Sequence, residues 1–491
     1  MARFGPLYHT RRARRNPGRS AGPGKETFIL SDTQPVSAAS DSDRLLGQAP
    51  IGSLILKLSL PAVAAQLINV LYNVVDRMYI GNIPDIGATA LTGVGVTFPV
   101  LMIVSAFAAF AGMGGAPRAG IRLGAGDKEG AEQILGNCVS LLLALSVVLT
   151  AVFQLLRTPI LVAFGATGNL LPYAEDYITI YLWGTVSVQL ALGLNTFISA
   201  QGRSGTAMLS VAIGAVLNIV LDPVFIFVFD MGVKGAAIAT VLSQTVSAVW
   251  VLAFLLSGRS TLRIRRKNLR FSAPVLASVA ALGVSPFIMQ STESLVTITL
   301  NRGMAQYGGE LYMGTITILQ SVMQLIVLPL QGLTQGTQPI ISYNYGAKNL
   351  DRVRATFKRV FLISMIYTIS AFALVCLLAW PLSRMFTSDA ALIDLTVKAM
   401  PVFFGGIWAF GAQMSCQAAF MGLGQAKVSL FLALLRKVIL LIPLAIVLPM
   451  VLGGDPFAIY LAEPASDFIA SATTLTIFLL LYKRTLNRPA D

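Results

Sequence analysis

The sequence predicts an all-α membrane protein whose twelve transmembrane helices form two six-helix lobes. Three observations lead to this fold class: an apolar composition, twelve apolar stretches of membrane-spanning length, and an internal repeat. Of the 491 residues, 55% are hydrophobic and 12% are charged, whereas roughly a quarter of the residues in a soluble protein are charged. So few polar residues cannot cover a water-soluble globule. We therefore expect the lipid bilayer to surround most of the chain.

The composition also excludes several function classes. The net charge of +14 does not indicate nucleic-acid binding, because the basic residues are dispersed in short loops between apolar stretches. The single histidine, His9, lies in a polar segment and argues against histidine-based metal sites and catalytic triads. The three cysteines are isolated from one another, and the sequence lacks G-x-x-x-x-G-K-[ST], H-E-x-x-H and G-x-S-x-G motifs. We expect no enzymatic activity, no structural metal and no cofactor.

Residues 1–50 are rich in Arg, Gly, Pro and Ser and contain no apolar stretch, which predicts a disordered cytoplasmic tail. From residue 51 onward, apolar stretches of at least about 20 residues recur, long enough to cross a bilayer. Each must be helical because lipid offers backbone groups no hydrogen-bonding partner. The predicted spans are 53–80, 90–116, 133–158, 174–199, 207–229, 235–257, 274–300, 312–336, 356–381, 395–420, 428–451 and 457–482. A short cytoplasmic tail of residues 486–491 follows.

Basic residues concentrate in the loops after the even-numbered spans. The loop after the sixth span contains Arg259, Arg263, Arg265, Arg266, Lys267 and Arg270. The loops on the other side mostly carry single basic residues, such as Lys234 and Arg384. Because positive loops stay in the cytoplasm, we expect a multi-pass protein of the plasma membrane with both termini in the cytoplasm.

An internal repeat divides the chain into two halves. The motif Gly114-x-x-Pro117 recurs as Gly336-x-x-Pro339, 222 positions later, and further Gly and Pro pairs recur at nearly the same offset. This period predicts lobes at residues 51–265 and 266–485. Because each half has an even number of spans, both insert the same way up. They are then related by a pseudo-two-fold axis along the membrane normal, with a cavity between them.

Asp222 is an unusual residue for the middle of an apolar stretch. A carboxylate at a helix centre costs roughly 2.5–3.5 kcal/mol on insertion scales, so it usually faces the bundle interior, a partner or water. In Asn218-Ile-Val-Leu-Asp222-Pro223, the i,i+4 spacing places Asn218 and Asp222 on one helix face, and the proline frees a backbone carbonyl one turn earlier. These oxygens could hold a small cation or a proton. The alternative is that Asp222 is only hydrogen-bonded to Asn218.

Two other carboxylates lie within predicted spans. Asp76, which shares a helix face with Asn73, could belong to the same kind of site or could be an interfacial residue beside Arg77. Glu293 lies deep in the seventh span after Met289 and Gln290, where an anionic group in an apolar cavity would suit a lipophilic cation. Alternatively, Glu293 forms a hydrogen bond across helices. Glu463 and Asp467 lie nearer the predicted outer end of the last span and rank below these residues.

Several short motifs between residues 51 and 485 resemble those of the multidrug and toxic compound extrusion (MATE) family. The motifs are Tyr72-Asn-Val-Val-Asp-Arg-Met-Tyr-Ile-Gly81, Gly202, Asn218-x-x-x-Asp222-Pro223, Gly232-x-x-Gly235-Ala-Ala and the Gly-Ala pairs at 124 and 346. The resemblance implies a V-shaped antiporter that expels organic cations in exchange for Na⁺ or H⁺, that is, multidrug efflux by a protein for which a monomer suffices. It implies a coupling site of Asp76, Asn218, Asp222 and Thr240, and a role for Glu293 in binding cationic substrates. We expect the neighbouring Gln290 and Met289 to belong to the same substrate site. Phe410 stands where one branch of the family has an Asp, so coupling is expected in the first lobe.

Two alternatives to this function remain. A lipid-linked sugar flippase of the same superfamily would need more cationic residues in the cavity to bind a pyrophosphate, and the spans contain few such charges. A membrane-embedded enzyme would need a paired nucleophile and base, and a channel would be expected to repeat its charged residues around a symmetric pore.

Overall fold

The computed structural model describes residues 41–166 and 168–482. Within these ranges all regular structure is helical, and eleven helices are long and apolar enough to cross a membrane. A twelfth span consists of two helical segments, Gly168–Trp183 and Thr185–Ala200, that meet at an angle of 59°. The prediction of an all-α membrane protein with twelve spans is confirmed, with the fourth span broken in the middle.

The first six spans form the amino-terminal lobe, and the last six form the carboxy-terminal lobe. The helices of the first are α1 Asp41–Gln48, α2 Ile51–Gly81, α3 Gly87–Gly124, α4 Lys128–Leu155, α5 Arg157–Ala163, α6 Leu171–Trp183, α7 Thr185–Ala200, α8 Ser204–Pro223 and α9 Gly232–Leu256. Those of the second are α10 Ala273–Tyr307, α11 Gly309–Gly346, α12 Leu350–Leu377, α13 Ala379–Arg384, α14 Ala390–Phe403, α15 Ile407–Gly422, α16 Ala426–Leu434, α17 Ile442–Val451 and α18 Phe457–Leu481. Short 3₁₀ turns are present at Gly168–Leu170, Arg266–Asn268 and Phe404–Gly406.

The fifth span of each half contains a π-helical segment. In the first lobe, Val224–Val228 follows Pro223 at the end of α8. In the second lobe, Leu435–Leu441 joins α16 to α17. Such segments are rare and often lie at functional positions, because they rotate the side chains that follow onto another face of the helix.

The chain before the first span is not disordered over its whole length. Residues 41–48, part of the predicted disordered segment 1–50, form α1. Leu46 of this helix is fully buried, and its carbonyl oxygen accepts a hydrogen bond of 2.9 Å from Asn344 Nδ2. The prediction was therefore wrong for these residues, because α1 packs against the second lobe. Residues 1–40, which include His9, and the predicted tail 486–491 lie outside the described residues.

The two lobes meet through α3 and α11, which lie at the centre of the structure. No residue is exposed between positions 99 and 120 of α3 or between 326 and 344 of α11, whereas the first halves of both helices contain exposed residues. At the enclosed end, a core cluster combines side chains of both lobes, among them Leu123 and Ile340. We infer that the lobes are closed at this end and separate toward the other, as the V shape requires.

Two glycine contacts show the pseudo-symmetry of this closed end. A Cβ atom at Gly124 would overlap the carbonyl oxygen of Tyr343, and one at Gly346 would overlap the carbonyl oxygen of Ile121. Each residue of one contact lies 222 positions from its counterpart in the other. The contacts are therefore reciprocal, as the pseudo-two-fold axis predicted from the repeat requires.

Candidate functional site

Four of the predicted site residues come together inside the amino-terminal lobe. Asn218 Nδ2 donates a hydrogen bond of 3.0 Å to Asp222 Oδ1 and a longer one of 3.4 Å to Thr240 Oγ1. The carboxyl group of Asp76 lies against that of Asp222. Helices α2, α8 and α9 thus each contribute to one cluster. Its role as a coupling site stays a prediction.

The cluster lies in the interior of the lobe rather than at its lipid-facing surface. Asp222 is fully buried and Asn218 is 2% exposed. Thr240 is also buried, and Asp76 is half-buried. The helical repeat of α8 stacks Asn218 and Asp222 one turn apart, and Pro223 ends the helix directly after them. A buried position of this kind is where an ionised carboxylate most needs a compensating charge.

Three oxygen atoms of the cluster are buried without a hydrogen-bond partner among the residues that the structure describes. They are Asp76 Oδ1, Asn218 Oδ1 and Asp222 Oδ2. Buried polar atoms nearly always have a partner, and all three atoms are acceptors when the carboxylates are ionised. Carboxylate and amide oxygens are ligands for hard cations, and a carboxylate can also take up a proton. The donor set therefore fits Na⁺ or H⁺.

A pocket lies beside the cluster. The pocket is lined in part by Asn218 and Thr240. Its wall also includes Asn195, Ser210 and Ser247, whose side chains can replace some of the water around an ion. Polar side chains therefore line part of a pocket that touches the cluster.

One residue of the cluster was missed by the sequence reasoning. Tyr177 of α6 is buried, and its side chain lies beside Thr240 and close to Asp76. Its ring stacks on that of Tyr181, with centroids 6.2 Å apart. This i,i+4 pair of aromatic residues looks like ordinary helix packing in the sequence, so no signal there indicated its position.

Glu293, Gln290 and Met289 lie in α10 of the second lobe. The carboxylate of Glu293 forms an ion pair with Lys437 in the π-helical segment Leu435–Leu441. Lys437 Nζ also donates a hydrogen bond of 3.2 Å to the carbonyl oxygen of Met289, so this methionine contributes its backbone. Gln290 Oε1 is buried without a hydrogen-bond partner in the described part of the chain. The substrate role of these three residues stays a prediction.

Next to this pair, Arg436 is held by two buried carboxylates. Its Nη2 atom lies 2.9 Å from Glu463 Oε1, and its Nε atom lies 2.6 Å from Asp467 Oδ1. The guanidinium carbon lies 4.4 Å from the centroid of the Phe410 ring, a favourable cation–π distance. Phe410 therefore packs against a cation at the place where the resemblance would put an acid in another branch of the family.

Arg436 and Lys437 are two cationic residues within the eleventh span, which contradicts one expectation from the sequence. The expectation that the spans contain few cationic residues is wrong for the eleventh span, which contains both of them. Lys437 is buried, and the Arg436 side chain is 13% exposed. The sequence did contain a signal, namely two adjacent basic residues within an apolar stretch and two acids, Glu463 and Asp467, spaced i,i+4 in the next span. In the structure, both basic residues are paired with carboxylates, so neither presents an uncompensated charge to a pyrophosphate.

Comparison with known proteins shows which family shares this architecture. The MatE family model matches residues 61–224 and 286–447, one segment in each lobe. The multidrug export protein MepA of Staphylococcus aureus is 23% identical over 442 residues, covering 90% of this chain and 96% of MepA. MepA of Staphylococcus haemolyticus is 23% identical over 426 residues, covering 86% and 93%.

Solved structures show the same fold. An outward-facing conformation of a multidrug resistance MATE family transporter matches 92% of this chain and 100% of its own length, with a TM-score of 0.85 and 24% identity. A transporter of Pyrococcus furiosus, described as having a binding pocket of reverse polarity, matches with a TM-score of 0.84, 24% identity and the same coverage. Because the family model covers most of both lobes, the chain belongs to the MatE family.

Proposed function

We propose that this protein is a secondary active antiporter of the plasma membrane that exports lipophilic cationic compounds in exchange for Na⁺ or H⁺. The observation that carries the proposal is that three buried oxygens of Asp76, Asn218 and Asp222 have no hydrogen-bond partner in the part of the chain that the structure describes. Membership of the MatE family and the similarity to MepA multidrug export proteins support the substrate class.

The coupling ion acts by neutralising two carboxylates that face each other. When Asp76 and Asp222 are both ionised, their charges repel across a buried space in which water screens them poorly. A sodium ion or a proton removes this repulsion and lets α2 pack more closely against α8. The ion-bound pair and the ionised pair without an ion therefore favour different positions of α2.

A shift of α2 reaches the contact between the lobes. In α2, Ser59 donates a hydrogen bond to the carbonyl oxygen of Leu333, and Gln66 donates one of 3.0 Å to the side chain of Gln335. Both acceptors belong to α11 of the second lobe. An ion bound at Asp76, further along the same helix, can thus change how the lobes meet, as alternating access requires.

The side on which the lobes separate indicates which face of the membrane the cleft reaches in this conformation. The closed end lies beside α1 and the basic loops, which the positive-inside rule places in the cytoplasm. The cleft therefore opens to the exterior, where the coupling ion enters and the exported compound leaves. All groups of the proposed ion site come from one chain, so a monomer can carry out the whole cycle.

The proposal is tested by transport in proteoliposomes that contain only this protein. An imposed Na⁺ or H⁺ gradient should drive tetraphenylphosphonium against its own gradient, and adding tetraphenylphosphonium should accelerate the flux of the coupling ion. The two gradients, applied separately, identify the ion. Equal rates of tetraphenylphosphonium movement with and without each gradient would contradict the proposal.

A further inference from the structure

The second lobe contains a cluster of charges at positions that correspond to those of the first-lobe site. The first-lobe cluster is built mainly from the first, fifth and sixth spans of its half. Glu293, the Arg436–Lys437 pair and the two acids Glu463 and Asp467 lie on the first, fifth and sixth spans of the other half. Unlike the first-lobe cluster, this one contains its own cations.

The cluster has one positive charge too few when all of its groups are ionised. It contains three carboxylates, of Glu293, Glu463 and Asp467, but only two cationic groups. Arg436 is fixed by two ion pairs and by the Phe410 ring. Lys437 has one carboxylate in ion-pair contact, that of Glu293. With all five groups ionised, the cluster would become neutral on binding one additional monovalent cation or one proton.

The Lys437–Glu293 pair is buried on one side and exposed on the other. The side chain of Lys437 is 10% exposed, whereas that of Glu293 is 62% exposed. An exposed carboxylate halfway along a membrane-spanning helix requires water, because contact with acyl chains would be costly. At this depth the water is that of the cleft between the lobes. Glu293 therefore faces the cleft, and Lys437 reaches it from inside the lobe.

From this geometry we propose that Lys437 is an internal counter-ion which a substrate cation displaces from Glu293. The lysine stem is flexible, and Glu463 and Asp467 already act on the Lys437 ammonium from within the lobe. When the substrate cation binds Glu293, Lys437 moves toward these two acids. Their two negative charges are only half neutralised by the single positive charge of Arg436. The inference rests on the proposed function in one respect, namely that the substrates are organic cations.

This arrangement makes Lys437 a determinant of selectivity. A compound must carry a positive charge to release Glu293 from its ion pair, so a neutral compound of the same size is rejected. The energy needed to break the Lys437–Glu293 ion pair also keeps substrate affinity moderate, because each bound cation replaces the Lys437 ammonium at Glu293. Removing the ammonium should therefore strengthen substrate binding instead of weakening it.

The test measures equilibrium binding of tetraphenylphosphonium to the purified protein in detergent, without any ion gradient. We expect Lys437→Met and Lys437→Gln each to lower the Kd at least tenfold, and Lys437→Arg to stay within threefold of the parent. Glu293→Gln should raise the Kd at least tenfold. The double variant Glu293→Gln/Lys437→Met should have the same Kd as Glu293→Gln alone. Lys398→Met serves as the control, because Lys398 forms an exposed pair with Asp394 outside the cluster.

An unchanged or higher Kd in both neutral lysine variants would overturn the inference. Methionine and glutamine differ in shape and polarity, so one variant decides the outcome if the other fails to fold. Tetraphenylborate has the same shape as the probe and the opposite charge. If it bound the parent and lost affinity in Lys437→Met, Lys437 would be an anion anchor and the inference would also be wrong. Failure of the gradient-driven transport described above would instead count against ion coupling.

Discussion

The side-chain amide of Asn218 donates a hydrogen bond of 3.0 Å to the carboxylate of Asp222, one turn further along α8. The same nitrogen also reaches Thr240 on α9, whereas the carbonyl oxygen of the amide, like one carboxylate oxygen each of Asp222 and Asp76, is buried without a hydrogen-bond partner among the described residues. One asparagine thus orients a carboxylate and adds a neutral oxygen ligand to the same space.

Replacing Asp222 should abolish coupled export while preserving the fold. Asparagine has the shape of aspartate but carries no charge, so Asp222→Asn should reduce ethidium efflux at least tenfold at equal membrane abundance. Asp394→Asn is the matched control, because Asp394 is exposed on α14 and paired with Lys398. Efflux at the parental rate in Asp222→Asn would contradict the role of this carboxylate.

Thr240 should contribute through its hydroxyl group rather than through its size. Thr240→Val removes the second acceptor of Asn218 Nδ2, and a lost hydrogen bond of this kind is worth about 1 kcal/mol. We expect the concentration of coupling ion that gives half-maximal transport to rise about fivefold to tenfold in Thr240→Val and to remain close to the parental value in Thr240→Ser. A value near that of the parent in Thr240→Val, with an increase in Thr240→Ser, would indicate that the methyl group matters instead.

The closed end of the lobes should not tolerate side chains at its two reciprocal glycines. Gly124→Ala and Gly346→Ala should each destabilise the protein by about 1–3 kcal/mol through overpacking, measured by denaturant unfolding in detergent. Gly95→Ala, in the same helix as Gly124, is the control, because nothing lies within 4 Å of the added Cβ atom. If all three variants unfolded alike, the close approach of the lobes would be in doubt.

Arg436 should matter for stability because of the charges that it neutralises. Its side chain is 13% exposed, and those of Glu463 and Asp467 are 9% and 2% exposed. Arg436→Met leaves two buried carboxylates unpaired and should destabilise the protein by about 3–5 kcal/mol. Adding Glu463→Gln and Asp467→Asn should recover most of this loss in the same unfolding measurement. A triple variant less stable than Arg436→Met would show that the acids contribute more than their pairing with Arg436.

The sequence by itself determined the twelve spans, their division into two lobes and the Asn218–Asp222 pair. These features depend on local chemistry or on a repeat. Lipid forces each long apolar stretch to be helical, and the i,i+4 spacing places the pair on one face in any α-helix. The expected partners Asp76 and Thr240 came from the family resemblance, because their spacing in the chain does not place them beside α8.

Only the tertiary structure decided which distant groups meet. Lys437 and Glu293 are 144 positions apart, and the sequence does not show which helix faces are turned toward each other. The π-helical segment around Lys437 adds to this difficulty, because it rotates the helix relative to the regular repeat from which a face would be predicted. Charges in an apolar span can therefore be recognised from the sequence, but their pairing depends on how the helices pack.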